Sequence, residues 1–245
     1  MSLSTNGLII RVNNVKEYDR FISVLTETNG VIRAYVHGAR SVKNKNAAAT
    51  ALLTYSNLTL ERKKDTYVLK EAAAEKVFFG LQNDIFKLTL AQHFCELAEV
   101  LAPENTDSHE YLRLILNSIS YLENGKRPQK LIKAITELRM LSISGYAPNL
   151  VACSGCAKFE DDVMYFDMQN GELLCEECKI ADRNIIPINK SVLSAMRHIA
   201  FSDFPSLYNF TISESSQEML ADVVERFLLS QVEHKFSVLQ FYKNL

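Results

Sequence analysis

Four of the five cysteines in this chain stand as two Cys-x-x-Cys pairs, Cys153 with Cys156 and Cys175 with Cys178, with 18 residues between the pairs. That spacing is the one four-thiolate zinc sites use, each knuckle gripping one ion with two sulfurs and the two knuckles closing a tetrahedral shell. A closed shell leaves no position for water, so the chemistry expected of one Zn²⁺ here is structural and not hydrolytic. Between the knuckles, residues 163–167 and 171–174 resemble two strands joined at Gln169-Asn170-Gly171, the frame of a zinc ribbon. A redox dithiol is the alternative, but neither pair follows a strand and opens a helix, the setting that lowers a thiol's pKa. A set of reduced thiols that bind nothing is the other. Cys95, among Leu90, Phe94 and Leu97, reads as a core thiol.

A second group of residues is suited to phosphates and bases. In Val31 to His37, Ile32, Ala34 and Val36 share one face of a strand, while Arg33, Tyr35 and His37 share the other. Arg40, Lys43 and Lys45 follow in a polar loop. Cations that track a backbone, interleaved with rings that stack on bases, are the means of holding single-stranded nucleic acid. The Arg62-Lys63-Lys64 turn adds a second basic loop. Lys126, Arg127, Lys130 and Lys133 form a third basic group at a helix start, fit to receive an acidic peptide. Each of these groups also has a plainer explanation as a solvated charged face.

The elements that must position these residues fall into two regimes. Period-two alternation dominates residues 8–80, where about five short strands suggest a small barrel. From Gln82 onward the spacing is helical. Asp107 with Glu110 is a capping-box-like start for a helix that stops at Gly125, and Pro128 suits the first turn of the next, whose stripe ends near Gly145. Asn189 or Ser191 caps a further helix, and Ser215 with Glu218 opens a long one towards His234. His93, Glu96 and Glu99 read as the polar stripe of a half-buried helix.

The composition, 47% hydrophobic and 23% charged, is that of a globular protein, and no apolar run is long enough for a membrane helix. The opening residues do not read as a secretory signal, so a cytoplasmic setting with reduced thiols is expected. The net charge of −2 hides a split: residues 1–80 hold 12 Lys/Arg against 7 Asp/Glu, and the excess of acid lies in the remainder. A basic first third points to an anionic partner there. No Gly-x-x-x-x-Gly-Lys-Ser/Thr loop, Gly-x-Gly-x-x-Gly turn or Gly-x-Ser-x-Gly elbow is present, so neither a nucleotide cofactor nor an enzymatic activity is expected.

Taken together these residues resemble the RecO family of bacterial DNA-repair and recombination mediators. The stretch "GLIIRVNNVKEYDRFISVLTETNGVIRAYVHGAR" is similar to that family's opening, and "LRMLSISGYAPNLVACSGC" to its helix entering a Cys-x-x-Cys. The resemblance implies an α+β fold: an N-terminal oligonucleotide/oligosaccharide-binding (OB) β-barrel over residues 1–80, then a mostly α-helical domain over 81–245 with an inserted four-cysteine zinc ribbon at 150–180. It implies a non-enzymatic protein that binds single- and double-stranded DNA, anneals complementary strands, and with RecR helps load RecA onto strands coated by single-strand-binding protein (SSB). The acidic C-terminal tail of SSB is an implied partner, and the implied location is the bacterial cytoplasm, at the nucleoid during repair. Arg33, His37, Arg40, Lys43 and Lys45 match the family's basic DNA-binding region, and the four cysteines match its zinc ligands. The chain departs from the family where Ser41, Val42 and Asn44 dilute the charge after Arg40, and where Thr54-Tyr55 replaces a frequent Pro-Phe. The competing expectations are a zinc-stabilised interaction scaffold that does not touch DNA, and a thiol-disulfide oxidoreductase.

Overall fold

Alternating burial builds the first sheet. In a computed structural model that describes all residues except Met1, Val42, Lys43, Asp65, Asp182 and Arg183, five strands close into a barrel: β1 (Ser2–Val15), β2 (Asp19–Thr26), β3 (Val31–Val36), β4 (Thr54–Lys63) and β5 (Thr66–Val77). The order around the barrel is β1-β2-β3-β5-β4, with every pair antiparallel except β3 against β5. This is the five-stranded topology of an OB barrel. Ile9, Ile22, Val24, Ile32, Ala34, Val36, Leu58, Leu60 and Leu69 fill its interior, each contributed by the inward side of its strand.

The chain divides into two compact units, residues 1–126 with 236–245, and residues 127–235. In the first, α1 (Ile85–Leu101) and α2 (His109–Asn124) pack with the barrel. The loop after α1 closes one end of it, with Val31 N–H donating to the Pro103 carbonyl at 3.0 Å. Only glycine fits at position 30, where φ is +65° and an added Cβ would lie 2.0 Å from that same carbonyl oxygen. The α2 start differs from the capping box expected at Asp107. Ser108 is the N-cap residue, its hydroxyl donates to the Thr26 carbonyl at 2.6 Å, and Asp107 Oδ1 takes the His109 N–H. Anchoring to the barrel has displaced the local cap. Gly125 ends the helix as expected.

The second unit opens with α3 (Gln129–Leu141), buried on all sides from Leu131 to Leu138, and a π-helical turn over Ser142–Tyr146. A four-stranded sheet follows: β6 (Asn149–Cys153), β7 (Val163–Asp167), β8 (Glu172–Leu174) and β9 (Ile185–Asn189), in the order β6-β8-β7-β9. The two inner strands are the expected ribbon hairpin. Asn189 caps α4 (Lys190–Phe201) by accepting the Val192 N–H. The cap of α5 (Glu214–Gln231) is Ser213, two residues before the expected Ser215, because Ser213 Oγ reaches the Ser216 N–H. Phe236 and α6 (Ser237–Lys243) belong again to the first unit. Among the described residues, no helix is long and apolar enough to cross a membrane.

Candidate nucleic-acid interface and metal centre

The outward side of β2 and β3 carries a row of rings and a cation. Register pairs Phe21 with Tyr35 and Ser23 with Arg33. The Arg33 guanidinium lies 4.4 Å from the Phe21 ring centroid, Phe21 meets Tyr35 edge-on at 4.9 Å, and Tyr35 meets His37 edge-on at 4.7 Å. Arg33 and His37 are exposed, and Tyr35 is half-buried. Phe21 was not expected in this group. Its outward place follows from the fold, through the register against Tyr35, and agrees with the full burial of its neighbour Ile22 on the opposite side of the strand.

Basic loops lie beyond both ends of this row. The parallel β3–β5 pairing matches Ala34 with Tyr67, which sets Arg33 level with Thr66 and hence beside the end of the β4–β5 hairpin. The expected turn is narrower there: Arg62 and Lys63 end β4, paired with Tyr67 and Thr66, and Lys64 enters the turn. Arg62, Lys63 and Lys64 are exposed there, with Lys63 3.9 Å from Glu61. At the other end, Arg40 donates its N–H to the Tyr18 carbonyl and Nη1 to the Glu17 carbonyl. The β1–β2 turn, with Lys16 and Tyr18 exposed, is thereby tied to the same end of the face. In OB barrels the β2–β3 face and the loops joining β1 to β2 and β4 to β5 are where oligonucleotides sit. Lys45 is exposed and paired with Glu71 at 3.1 Å, while Lys43 lies outside the described residues.

Among the described residues, backbone pairing of β3 with β5 covers Ala34 and Tyr35. Two asparagine side chains continue it. Asn44 Nδ2 donates to the His37 carbonyl at 2.9 Å, Asn46 N–H donates to Asn44 Oδ1 at 2.8 Å, and Asn46 Oδ1 accepts the Ala72 N–H at 3.2 Å. The residue that dilutes the loop's charge therefore fastens the loop to the barrel.

In the second unit the four Sγ atoms of Cys153, Cys156, Cys175 and Cys178 lie within 4.8 Å of one another, and no disulfide joins them. A tetrahedral zinc with Zn–S of about 2.3 Å requires sulfurs about 3.8 Å apart; Cys156 and Cys175 stand at 3.6 Å. The donor set therefore fits a metal ion. Gly155 makes the first knuckle possible, since a Cβ there would lie 2.9 Å from Cys178 Sγ. Burial pushes the Cys153 thiol up, but the N–H groups of Cys175, Cys156 and Gly155 aimed at its sulfur outweigh this and hold it down at about 6. Cys178, hydrogen-bonded to Cys156 and then to Cys175 and Cys153, is pushed up to about 12. Cys95 is buried, and its thiol is raised by desolvation.

The third basic group is not one exposed side. Lys133 is 4% exposed and bonds to Glu137 and Glu225, each at 2.9 Å. Its expected place on an open surface is corrected: the interior of α3 holds Glu137 at full burial, and a buried carboxylate needs a cation. Arg127 donates Nη1 to the Phe210 carbonyl at 2.7 Å, Lys130 pairs with Glu218 at 2.9 Å, and Lys126 is exposed. The stripe of His93, Glu96 and Glu99 is structural. His93 is buried, Glu99 pairs with Arg11 at 3.1 Å, and Glu96 holds α6.

Family models described as recombination protein O match this chain, the N-terminal model over residues 1–78 and the C-terminal one over 82–240. The chain belongs to the RecO family. Among its relatives, the DNA repair protein RecO of Acetivibrio thermocellus is 32% identical over 99% of this chain and 97% of the relative. That of Symbiobacterium thermophilum is 26% identical over 99% and 97%, and that of Dehalococcoides mccartyi strain CBDB1 is 27% identical over 93% and 90%. RecO membership covers the barrel, the helices and the cysteine segment alike.

Proposed function

We propose that this chain is a DNA-binding recombination mediator of DNA repair, working in the bacterial cytoplasm at the nucleoid. The barrel, residues 1–80, handles single- and double-stranded DNA, and residues 81–245 carry the surfaces for partners. One observation carries the reading: the row Arg33, Phe21, Tyr35 and His37, with the basic end of the β4–β5 hairpin, residues 62–64, beyond one end and Arg40 beyond the other. Cations neutralise phosphates and release counterions, while the rings offer π-faces to any base. Binding of this kind has little sequence preference and weakens with salt. Lowering the repulsion between two strands lets complementary strands meet and anneal, with no bond made or broken in the protein's own reaction. Family membership supports the rest of the reading: RecA is loaded with RecR onto SSB-coated strands, and the acidic SSB tail meets the helical part. Arg127 and Lys130 are the basic residues of the second unit assigned to that tail, and Lys133 is left out because it is buried.

Zn²⁺ is the ion assigned to Cys153, Cys156, Cys175 and Cys178, and when bound it supplies a closed cross-link that holds the two knuckles together. Around it this chain's residues clamp the segment: Arg197 donates to the carbonyls of Leu150, Val151 and Phe159 and lies over the Phe159 ring at 4.3 Å.

The test is fluorescence-polarisation binding of a labelled single strand across a salt series, for the wild type and an Arg33→Ala, Arg40→Ala, Lys45→Ala variant. The expected result is steep salt dependence for the wild type, and weaker binding with a shallower slope for the variant, about 0.7 lost per phosphate contact removed. No binding by the wild type at low salt overturns the reading in favour of a scaffold.

A further inference from the structure

We infer that Asp19 is a positioning residue of the DNA face, a carboxylate that strengthens nucleic-acid binding by holding Tyr35 and the Gly38–Arg40 turn in place. This rests on the DNA-binding reading above. By charge alone, a carboxylate beside a phosphate-binding row should weaken binding. The geometry assigns it another part.

Both of its oxygens are engaged. Oδ2 accepts the Tyr35 hydroxyl at 2.5 Å, and Oδ1 accepts the Gly38 N–H at 2.7 Å. Asp19 opens β2, and Tyr18 just before it accepts the Arg40 N–H at 3.0 Å. One side chain and its neighbouring carbonyl thus tie the β1–β2 turn, the central ring of the row and the turn carrying Arg40. Tyr35 stands between Phe21 and His37 in the edge-on series, so fixing its hydroxyl fixes the middle ring of three. The Tyr35 hydroxyl and then the Gly38 N–H hold the Asp19 carboxyl below the usual carboxylate range. Base stacking depends on a ring being ready in one orientation, because a ring that must be ordered on binding loses part of its contribution to rotamer entropy.

Three variants separate tether from charge. Asp19→Asn can still accept the Gly38 N–H through Oδ1 and donate from Nδ2 to the Tyr35 oxygen, so it keeps the tether and removes the charge. Asp19→Ala removes both. Tyr35→Phe keeps the ring and removes its bond to Asp19. Binding is measured on an oligodeoxythymidine of about 20 nucleotides with one 2-aminopurine, by polarisation for affinity and by 2-aminopurine quenching for stacking. The expected pattern is Asp19→Asn binding about two-fold tighter than wild type, and Asp19→Ala and Tyr35→Phe about five-fold weaker with reduced quenching. Asp19→Ala binding as tightly as Asp19→Asn, or all three binding like the wild type, overturns the inference. So does weakening by Asp19→Asn. Should Asp19→Ala not fold, as judged by its melting curve, the contrast of Asp19→Asn with Tyr35→Phe decides. The wild type and the Arg33, Arg40, Lys45 variant run alongside: loss of wild-type binding removes the DNA reading itself, whereas retained, salt-sensitive wild-type binding with the wrong Asp19 pattern removes only this inference.

Discussion

Lys133 and Glu137 form an ion pair at 2.9 Å one helical turn apart, with the lysine side chain 5% exposed and the glutamate fully buried. Removing one partner of such a pair leaves an uncompensated buried charge, at a cost of about 3–5 kcal/mol. Lys133→Ala should therefore lower the unfolding free energy by an amount of that order. The double replacement of Lys133 and Glu137 by apolar residues should recover much of it, as chemical denaturation can measure.

The same pair sets a pH dependence. Burial opposes the charge on Lys133, but Glu137 and Glu225 outweigh it and raise the pKa above the ordinary lysine value. A group raised on folding contributes stability in full below its unfolded pKa, about 10.4, and loses it as pH rises through the folded value. Stability of the wild type should therefore fall in the alkaline range above about pH 10, and a Lys133→Met variant should lack that component of the fall.

Glu96 makes the opposite prediction. Its Oε1 accepts the Ser237 N–H and hydroxyl, its Oε2 accepts the Val238 N–H, and these bonds with His93 outweigh burial and lower its pKa. This stabilisation is present above the unfolded value of about 4.3 and disappears as pH falls through the folded one. Protection of the amides in residues 237–243, taken relative to the unstructured exchange rate at each pH, should fall on acidification below about pH 4, and Glu96→Ala should show the lower protection already at neutral pH.

Metal content tests the cysteine cluster. Purified protein should carry one zinc per chain, and Cys175→Ser should lose it together with thermal stability of the second unit. Gly155→Ala should weaken metal retention without removing a ligand, because its Cβ would press on the Cys178 sulfur. Metal analysis after dialysis against a chelator reads both.

The asparagine relay gives a test of the loop. Asn46→Ala leaves the Ala72 N–H without its acceptor and should cost about 0.5–1.5 kcal/mol, with faster amide exchange across residues 44–50. Single-strand affinity should fall about two-fold, since Lys45 follows the relay.

Legibility in the sequence followed the range of the interaction. Alternation in Ile32, Ala34 and Val36 marked an inward side correctly, and the cysteine spacing marked a cluster that the fold brings together. The parallel closure of β3 on β5 left no local trace, because it joins residues 34 and 67 across a long loop and the whole of β4. Strand β9 was missed because Pro187 interrupts its pattern; at the sheet's edge a missing N–H is tolerated. Phe21 read as one more apolar strand residue, and only the register against Tyr35 reveals its outward place. Lys133 failed for a different reason: a charged residue in an amphipathic helix is ordinarily solvated, and the carboxylates that draw it inward include Glu225, far away in sequence.

The first unit is assembled from two stretches with the whole of the second between them. Phe236, 1% exposed, packs its ring edge-on against His93 at 5.8 Å, and α6 lies on α1. During synthesis at roughly 5–20 residues per second, α1 must therefore keep its apolar side uncovered for on the order of ten seconds, until the ribosome has released the closing helix. The barrel is made first, yet the body that contains it is finished last, and a truncation after residue 235 would injure the oldest part of the molecule.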